Sequence, residues 1–160
     1  MAGWIVPAGN PAGAIYGMIV IGALLAAESG RHETYIETVG SAVIAAALYW
    51  LAHAYTTVLG RRLQTLERLT AAALWRGLVH DLALIRGAAV PLLVLLLAWA
   101  TGAAQATAVN AALWSAVASL IAFELVAGLR SRATPGELVL ELAVGGAMGL
   151  GILALKIVLH

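Results

Sequence analysis

Three ionisable side chains lie inside stretches of the sequence that are otherwise apolar: His53, Glu124 and Glu141. Charged groups in apolar spans turn away from lipid, pair with one another and often mark ion or proton pathways, because exposure to hydrocarbon costs several kcal/mol. An imidazole exchanges protons near neutral pH, and carboxyl oxygens are ligands for hard cations. These residues therefore indicate proton or cation chemistry within a membrane.

Distance along the helices predicts that these groups lie in one layer. At a rise of about 1.5 Å per residue, His53 is about 12 Å from the basic end of its helix, and Glu124 and Glu141 are about 9 Å from theirs. Tyr16 is about 8 Å into the first helix, and Arg86 begins another helix on the same side. Each of the five predicted spans contributes at least one residue to this polar layer. Its members are His53, Glu124, Glu141, Arg86, Tyr16 and Tyr49.

Three interpretations of this layer remain open from the sequence. In the first it is structural: Arg86 pairs with Glu124 or Glu141, and His53 or Tyr16 satisfies the other glutamate. In the second it is a proton or cation site. In the third, His53 and the two glutamates ligate a metal ion for hydrolysis. No ligand pair at the spacing of H-E-x-x-H occurs, and the sequence identifies no particular metal.

Two further glutamates have a local explanation. Thr34 and Glu37, and again Thr134 and Glu137, have the S/T-x-x-E spacing of a capping box. In that motif the hydroxyl accepts from a free N–H of the first helical turn, and the glutamate reaches back to the N–H of the threonine. We predict that helices begin at both places and that these four residues are structural caps.

Small residues recur at helical spacing near the C-terminus. Gly145 and Gly149 form a G-x-x-x-G pair, and Gly13 and Gly17 form a similar pair in the first apolar stretch. Small residues let two helix backbones approach closely in lipid. We predict that Gly145 and Gly149 pack within the chain, with the first pair as a candidate partner. A homodimer face is the alternative.

One adjacent pair, His80 and Asp81, lies in a segment rich in arginine. A carboxylate beside an imidazole can orient it for base chemistry. Neighbouring residues of a helix point in different directions, however, so we expect a solvated surface pair without a catalytic role.

Composition defines the class of protein that holds these residues. Of 160 residues, 62% are hydrophobic and 11% are charged, whereas soluble domains have about 45–50% and about 25%. The net charge is +1 and cysteine is absent. These values exclude a soluble globular domain, a disordered chain, a nucleic-acid binder and thiolate chemistry. They predict an all-α integral membrane protein in contact with the lipid bilayer.

Apolar stretches predict a single transmembrane domain over residues 1–160, with five spanning helices. A span needs about 20 mostly apolar residues. The predicted spans are 11–29, 35–60, 84–103, 108–128 and 135–159. Between the second and third, residues 61–82 place leucines on one helical face and arginines on the other. This segment predicts an amphipathic helix on the membrane surface. A helical extension of the second span into the cytoplasm is the alternative.

Basic residues in the links predict the orientation. Arginines concentrate in residues 61–86 and at Arg130 and Arg132, whereas the link between the third and fourth spans has no charge. The positive-inside rule then places the N-terminus in the cytoplasm and the C-terminus outside the cell membrane. No basic residue precedes the first span, so we expect no cleaved signal peptide. The many arginines and alanines are typical of a GC-rich bacterial genome.

No motif for catalysis or cofactor binding occurs: G-x-S-x-G, Walker A and dinucleotide fingerprints are all absent. We therefore expect no cofactor and favour a protein that is not an enzyme. The expected function is a small transport or channel-like protein that handles protons or cations at a cytoplasm-facing site. Five helices are few to enclose a pathway, which favours a homo-oligomer. The alternative is a non-catalytic accessory subunit or assembly factor of a larger membrane complex.

Overall fold

The computed structural model describes residues 11–28, 34–65, 68 and 70–159. Helix accounts for 92% of these residues, and no strand occurs among them. The fold class predicted from composition is thus confirmed as all-helical. The helices, in chain order, are α1 (Pro11–Glu28), α2 (Tyr35–Thr65), α3 (Ala71–His80), α4 (Leu82–Ala100), α5 (Gln105–Ser131) and α6 (Pro135–Leu159).

Four stretches of helix are long and apolar enough to cross a membrane. They are Tyr35–Thr65, Ala71–Ala100, Gln105–Ser131 and Pro135–Val158, the second of which joins α3 to α4. The apolar part of α1, Ala12–Ala27, is shorter. A span needs about 17–25 residues, and each of these four stretches is long enough. Their composition suggests a membrane protein.

The short helix α1 lies at the centre of the bundle. It contacts α2, α4, α5 and α6. Ile21, Leu25 and Ala26 are fully buried in this core. Because the other helices surround α1, most of its apolar surface is covered by protein.

Two glycines bring α1 and α4 into backbone contact. A Cβ at Gly17 would collide with the carbonyl oxygen of Leu84 and lie 2.9 Å from the carbonyl carbon. A Cβ at Gly87 would collide in the same way with the carbonyl oxygen of Ala14. Such reciprocal approaches permit Cα–H···O contacts between helices. They also fix the positions of the neighbouring residues Tyr16 and Arg86.

The segment predicted as one amphipathic helix, 61–82, is divided in the structure. Its first five residues extend α2 to Thr65, as the alternative interpretation proposed. A new helix, α3, then begins because the Thr70 side chain accepts a hydrogen bond from the Ala73 N–H at 3.2 Å. The predicted helix residues 66, 67 and 69 lie outside the described part of the chain.

Helix α3 packs back against α2. The Trp50 indole N–H donates to the carbonyl oxygen of Leu78 at 3.0 Å. A Cβ at Gly77 would lie 2.6 Å from Cγ2 of Val58. The short helix is therefore part of the bundle and covers one side of α2.

Several helix ends differ from the predicted spans. Helix α4 begins at Leu82 and ends at Ala100, where 84–103 was predicted, and α5 covers Gln105–Ser131, where 108–128 was predicted. Gly102 adopts a left-handed backbone with φ of 73°, which turns the chain between these helices. Apolar periodicity does not locate such turns. Residue 29, the predicted end of the first span, and His160 lie outside the described residues.

Candidate functional site

A cluster of three rings joins α1 to α2. The ring centroids of Tyr16 and His53 lie 5.6 Å apart, those of Tyr49 and His53 6.1 Å, and those of the two tyrosines 6.5 Å. These separations are typical of packed aromatic side chains. Three members of the predicted layer are thus brought together, with the imidazole half-buried between the tyrosines.

The two predicted intramembrane glutamates lie between α5 and α6. A Cβ at Gly145 of α6 would lie 2.8 Å from Cγ of Glu124, and a Cβ at Gly128 of α5 would lie 2.5 Å from Oε2 of Glu141. Each glutamate therefore lies over a glycine of the opposite helix, which makes room for it. We call Glu124 and Glu141 the carboxyl pair.

No ion pair joins the carboxyl pair to a basic side chain in the described part of the chain. Its two members interact electrostatically. Oε2 of Glu141 is buried and has no hydrogen-bond partner among the described residues. Two neighbouring carboxylates in a medium of low dielectric repel each other strongly unless a proton or cation lies between them. The geometry is therefore suited to binding one of these.

Arg86 lies elsewhere on the bundle. It is exposed and lines an apolar cavity of about 260 Å³ between α1, α4 and α5, together with Ala14 and Phe123. Phe123 and Glu124 are consecutive on α5, so their side chains point about 100° apart. Within the described ranges no ion pair joins Arg86 to either glutamate. The structural interpretation, in which Arg86 neutralises them, is therefore not supported.

The hydrolytic metal site proposed from the sequence is also not supported. Among the described residues, no group of three or more His, Asp or Glu side chains could hold a metal ion. His53 contacts the rings of α1 and α2, whereas the two glutamates lie between α5 and α6. The helices place the three groups at similar depth but on different sides of the bundle.

Both threonine–glutamate pairs have the hydrogen bonds of a capping box. The Glu37 carboxylate accepts from the Thr34 N–H at 2.7 Å, and the Thr34 hydroxyl accepts from the Glu37 N–H at 3.4 Å. Thr134 and Glu137 repeat this arrangement with the same distances. Glu37 and Glu137 therefore cap the helices in which they lie. The carboxyl pair remains as the candidate site for proton or cation binding.

Gly145 and Gly149 of α6 face α5. A Cβ at Gly149 would lie 2.8 Å from Cγ1 of Val117, one to two turns from the place where Gly145 meets Glu124. Gly17, the suggested partner, instead contacts Leu84 and Ala88 of α4. The α5–α6 contact therefore uses small residues on one helix and larger side chains on the other.

We expect a disulfide to form within one chain in the Val117→Cys/Gly149→Cys variant. The Cβ position at residue 149 lies 3.8 Å from Cβ of Val117, which matches the disulfide mean of about 3.8 Å. The native chain has no cysteine, so non-reducing electrophoresis would report this bond alone. Val117→Cys/Gly151→Cys is the matched control, since a Cβ at Gly151 has no neighbour within 4 Å. A cross-linked dimer from Gly149→Cys alone would instead indicate a homodimer face.

Polar contacts at the opposite end of the bundle were not predicted. Gln105 donates to the Thr38 hydroxyl at 2.9 Å, and the Tyr35 hydroxyl donates to the Ala103 carbonyl oxygen at 2.5 Å. Lys156 donates to the side-chain oxygen of Asn110. These bonds join helices distant in sequence, and no local spacing motif identifies such pairs. They close the end of the bundle away from the arginines.

The prediction of a solvated pair is wrong for Asp81, whereas His80 is exposed as expected. Asp81 is only 1% exposed, and its Oδ1 lies 3.0 Å from Nδ1 of His80. The reason is local: Asp81 lies at the break between α3 and α4, with φ of −88° and ψ of 7°. The helical separation of adjacent side chains does not apply there, so the carboxyl group turns into the bundle.

Comparison with protein-family models, with curated proteins and with solved structures gave no match. Relatives therefore supply no activity, substrate or partner for this chain. The functional argument rests on the carboxyl pair, the ring cluster and the surfaces around them.

Proposed function

We propose that the protein transports protons or cations across a membrane and binds them at Glu124 and Glu141. The observation that carries the proposal is the carboxyl pair itself, which has a buried oxygen without a hydrogen-bond partner among the described residues. Intramembrane carboxyl groups are expensive to maintain, and transport proteins use them as ion sites and proton relays. A bound proton or cation would remove the repulsion between the two groups.

The proposal includes a topology of five spans. Helix α1 is the fifth span, because it is apolar and lies in the centre of four helices long enough to cross. Helix α3 lies near the interface, where its Arg76 and its exposed Trp75 meet the headgroups. The arginine-rich end faces the cytoplasm, so the N-terminus is inside and the C-terminus is outside a bacterial cell membrane.

Under this topology the carboxyl pair is close to the cytoplasmic side. Glu141 lies six residues into α6 and Glu124 seven residues before the end of α5, which places both about 9–10 Å from the helix ends. The ring cluster of Tyr16, Tyr49 and His53 lies at a similar depth and is a second protonatable group. Two or more copies of the chain would complete a pathway that five helices are too few to enclose.

Flux through purified protein in liposomes tests the proposed class. We expect vesicles that contain the protein to pass protons, Na⁺ or K⁺ faster than protein-free vesicles of the same lipid under an imposed gradient. The measurement uses a trapped pH dye for protons and trapped cation-sensitive dyes for Na⁺ and K⁺.

Rates equal to those of empty vesicles for all three ions would contradict the proposal. That result would favour the accessory-subunit alternative. Purification from the native membrane in mild detergent, followed by mass measurement of the intact complex, would then detect the other subunits.

A further inference from the structure

A basic cavity lies between the end of α2 and α3. Its volume is about 280 Å³. Four guanidinium groups and an imidazole line it, together with smaller side chains. These basic side chains are Arg61, Arg62, Arg68, Arg76 and His80. They come from the last turn of α2, from the link and from two turns of α3, so the fold gathers charges that are spread over 20 residues of sequence.

Arginines outnumber acidic residues around this cavity, although its His80 contacts the carboxylate of Asp81. Residues 61–76 contain four arginines and one glutamate. In the described ranges no ion pair joins these arginines to a carboxylate. The one hydrogen bond from a guanidinium among them joins Nε of Arg76 to the carbonyl oxygen of Ala72 at 3.3 Å. The other N–H donors of these guanidinium groups have no hydrogen-bond partner among the described residues.

The surroundings of the cavity favour a lipid over a free anion. Leu63 on α2 and Trp75 on α3 are 71% and 68% exposed. Each is the sequence neighbour of an arginine that lines the cavity, and tryptophan is enriched at the level of lipid headgroups. A site for inorganic phosphate requires the charges alone, whereas a lipid requires charges next to an apolar surface.

We propose that this cavity binds the phosphate headgroup of an anionic phospholipid. The planar guanidinium group donates two parallel N–H bonds to phosphate oxygens, which favours arginine over lysine at phosphate sites. Basic pockets at the cytoplasmic side of membrane helices bind such headgroups. The bound lipid would contact both α3 and the end of α2.

Lipid binding to the full-length protein in detergent tests this proposal by native mass spectrometry. We expect phosphatidylglycerol to bind more tightly than phosphatidylcholine with the same acyl chains. Arg61→Gln/Arg76→Gln should weaken phosphatidylglycerol binding about 30-fold, since each surface arginine contributes about 1 kcal/mol. The Arg61→Lys/Arg76→Lys variant keeps the charge but loses the paired N–H donors, so its affinity should lie between those of the wild type and the double-Gln variant. All variants should keep the wild-type thermal midpoint because both side chains are exposed.

The matched control removes two arginines from the same end of the bundle but outside the cavity, in Arg130→Gln/Arg132→Gln. It should change phosphatidylglycerol affinity less than fivefold. Equal losses in the two double-Gln variants would show general surface attraction and overturn the site. Equal affinity for the two lipids would also overturn it. Displacement of the lipid by millimolar inorganic phosphate, with saturable binding of phosphate itself, would overturn the assignment to a lipid.

Discussion

Gly17→Ala and Gly87→Ala are each expected to destabilise the folded protein by about 3 kcal/mol, at the upper end of the usual cost of overpacking. The added methyl group would collide with a backbone carbonyl oxygen of the opposite helix, at Leu84 or at Ala14. A backbone atom cannot rotate away as a side chain can, so α1 and α4 must separate. Helix α1 is the centre of the bundle, and its displacement disturbs every helix packed on it.

Thermal unfolding in mild detergent, followed by the fluorescence of the five tryptophans, measures this effect. Gly40→Ala and Gly151→Ala are the matched controls, because a Cβ at either position has no neighbour within 4 Å. Alanine is a better helix former than glycine, so these variants should be neutral or more stable by about 0.5–1 kcal/mol. Equal midpoints for Gly17→Ala and Gly40→Ala would show that α1 and α4 do not approach as described.

The sequence predicts the helices well, because their signals are local. Apolar composition requires helices in lipid, where every backbone group must be bonded within its own segment. The threonine and glutamate of each capping box lie three residues apart, so the helix starts at Tyr35 and Pro135 follow from spacing alone. The break at Asp81 has no such signal, because leucines continue at helical spacing on both sides of it.

The side of each helix on which a residue lies is harder to predict. Depth follows from counting residues, and it places His53, Glu124 and Arg86 at one level. In the structure they belong to three separate places: the ring cluster, the carboxyl pair and the apolar cavity that Arg86 lines. This separation depends on which helix packs against which face. The glycine contacts that decide this order lie between residues about 70 positions apart, such as Gly17 and Leu84. No local pattern contains that information.

The stability of the Glu124→Gln/Glu141→Gln variant distinguishes a functional carboxyl pair from a structural salt bridge. Removing one partner of a buried ion pair costs about 3–5 kcal/mol, because it leaves the other charge uncompensated. No ion pair joins either glutamate to a basic side chain among the described residues. We therefore expect the double variant to fold with a midpoint at or above that of the wild type, and to lose ion transport.

Ion flux through this double variant in liposomes tests the central claim most directly. Glu37→Gln/Glu137→Gln is the matched control, since it also removes two carboxylates and glutamine still fits a capping box. We predict wild-type flux of the transported ion for the control and, for folded Glu124→Gln/Glu141→Gln protein, a rate no greater than that of empty vesicles. Wild-type flux through the folded Glu124→Gln/Glu141→Gln variant would contradict the account.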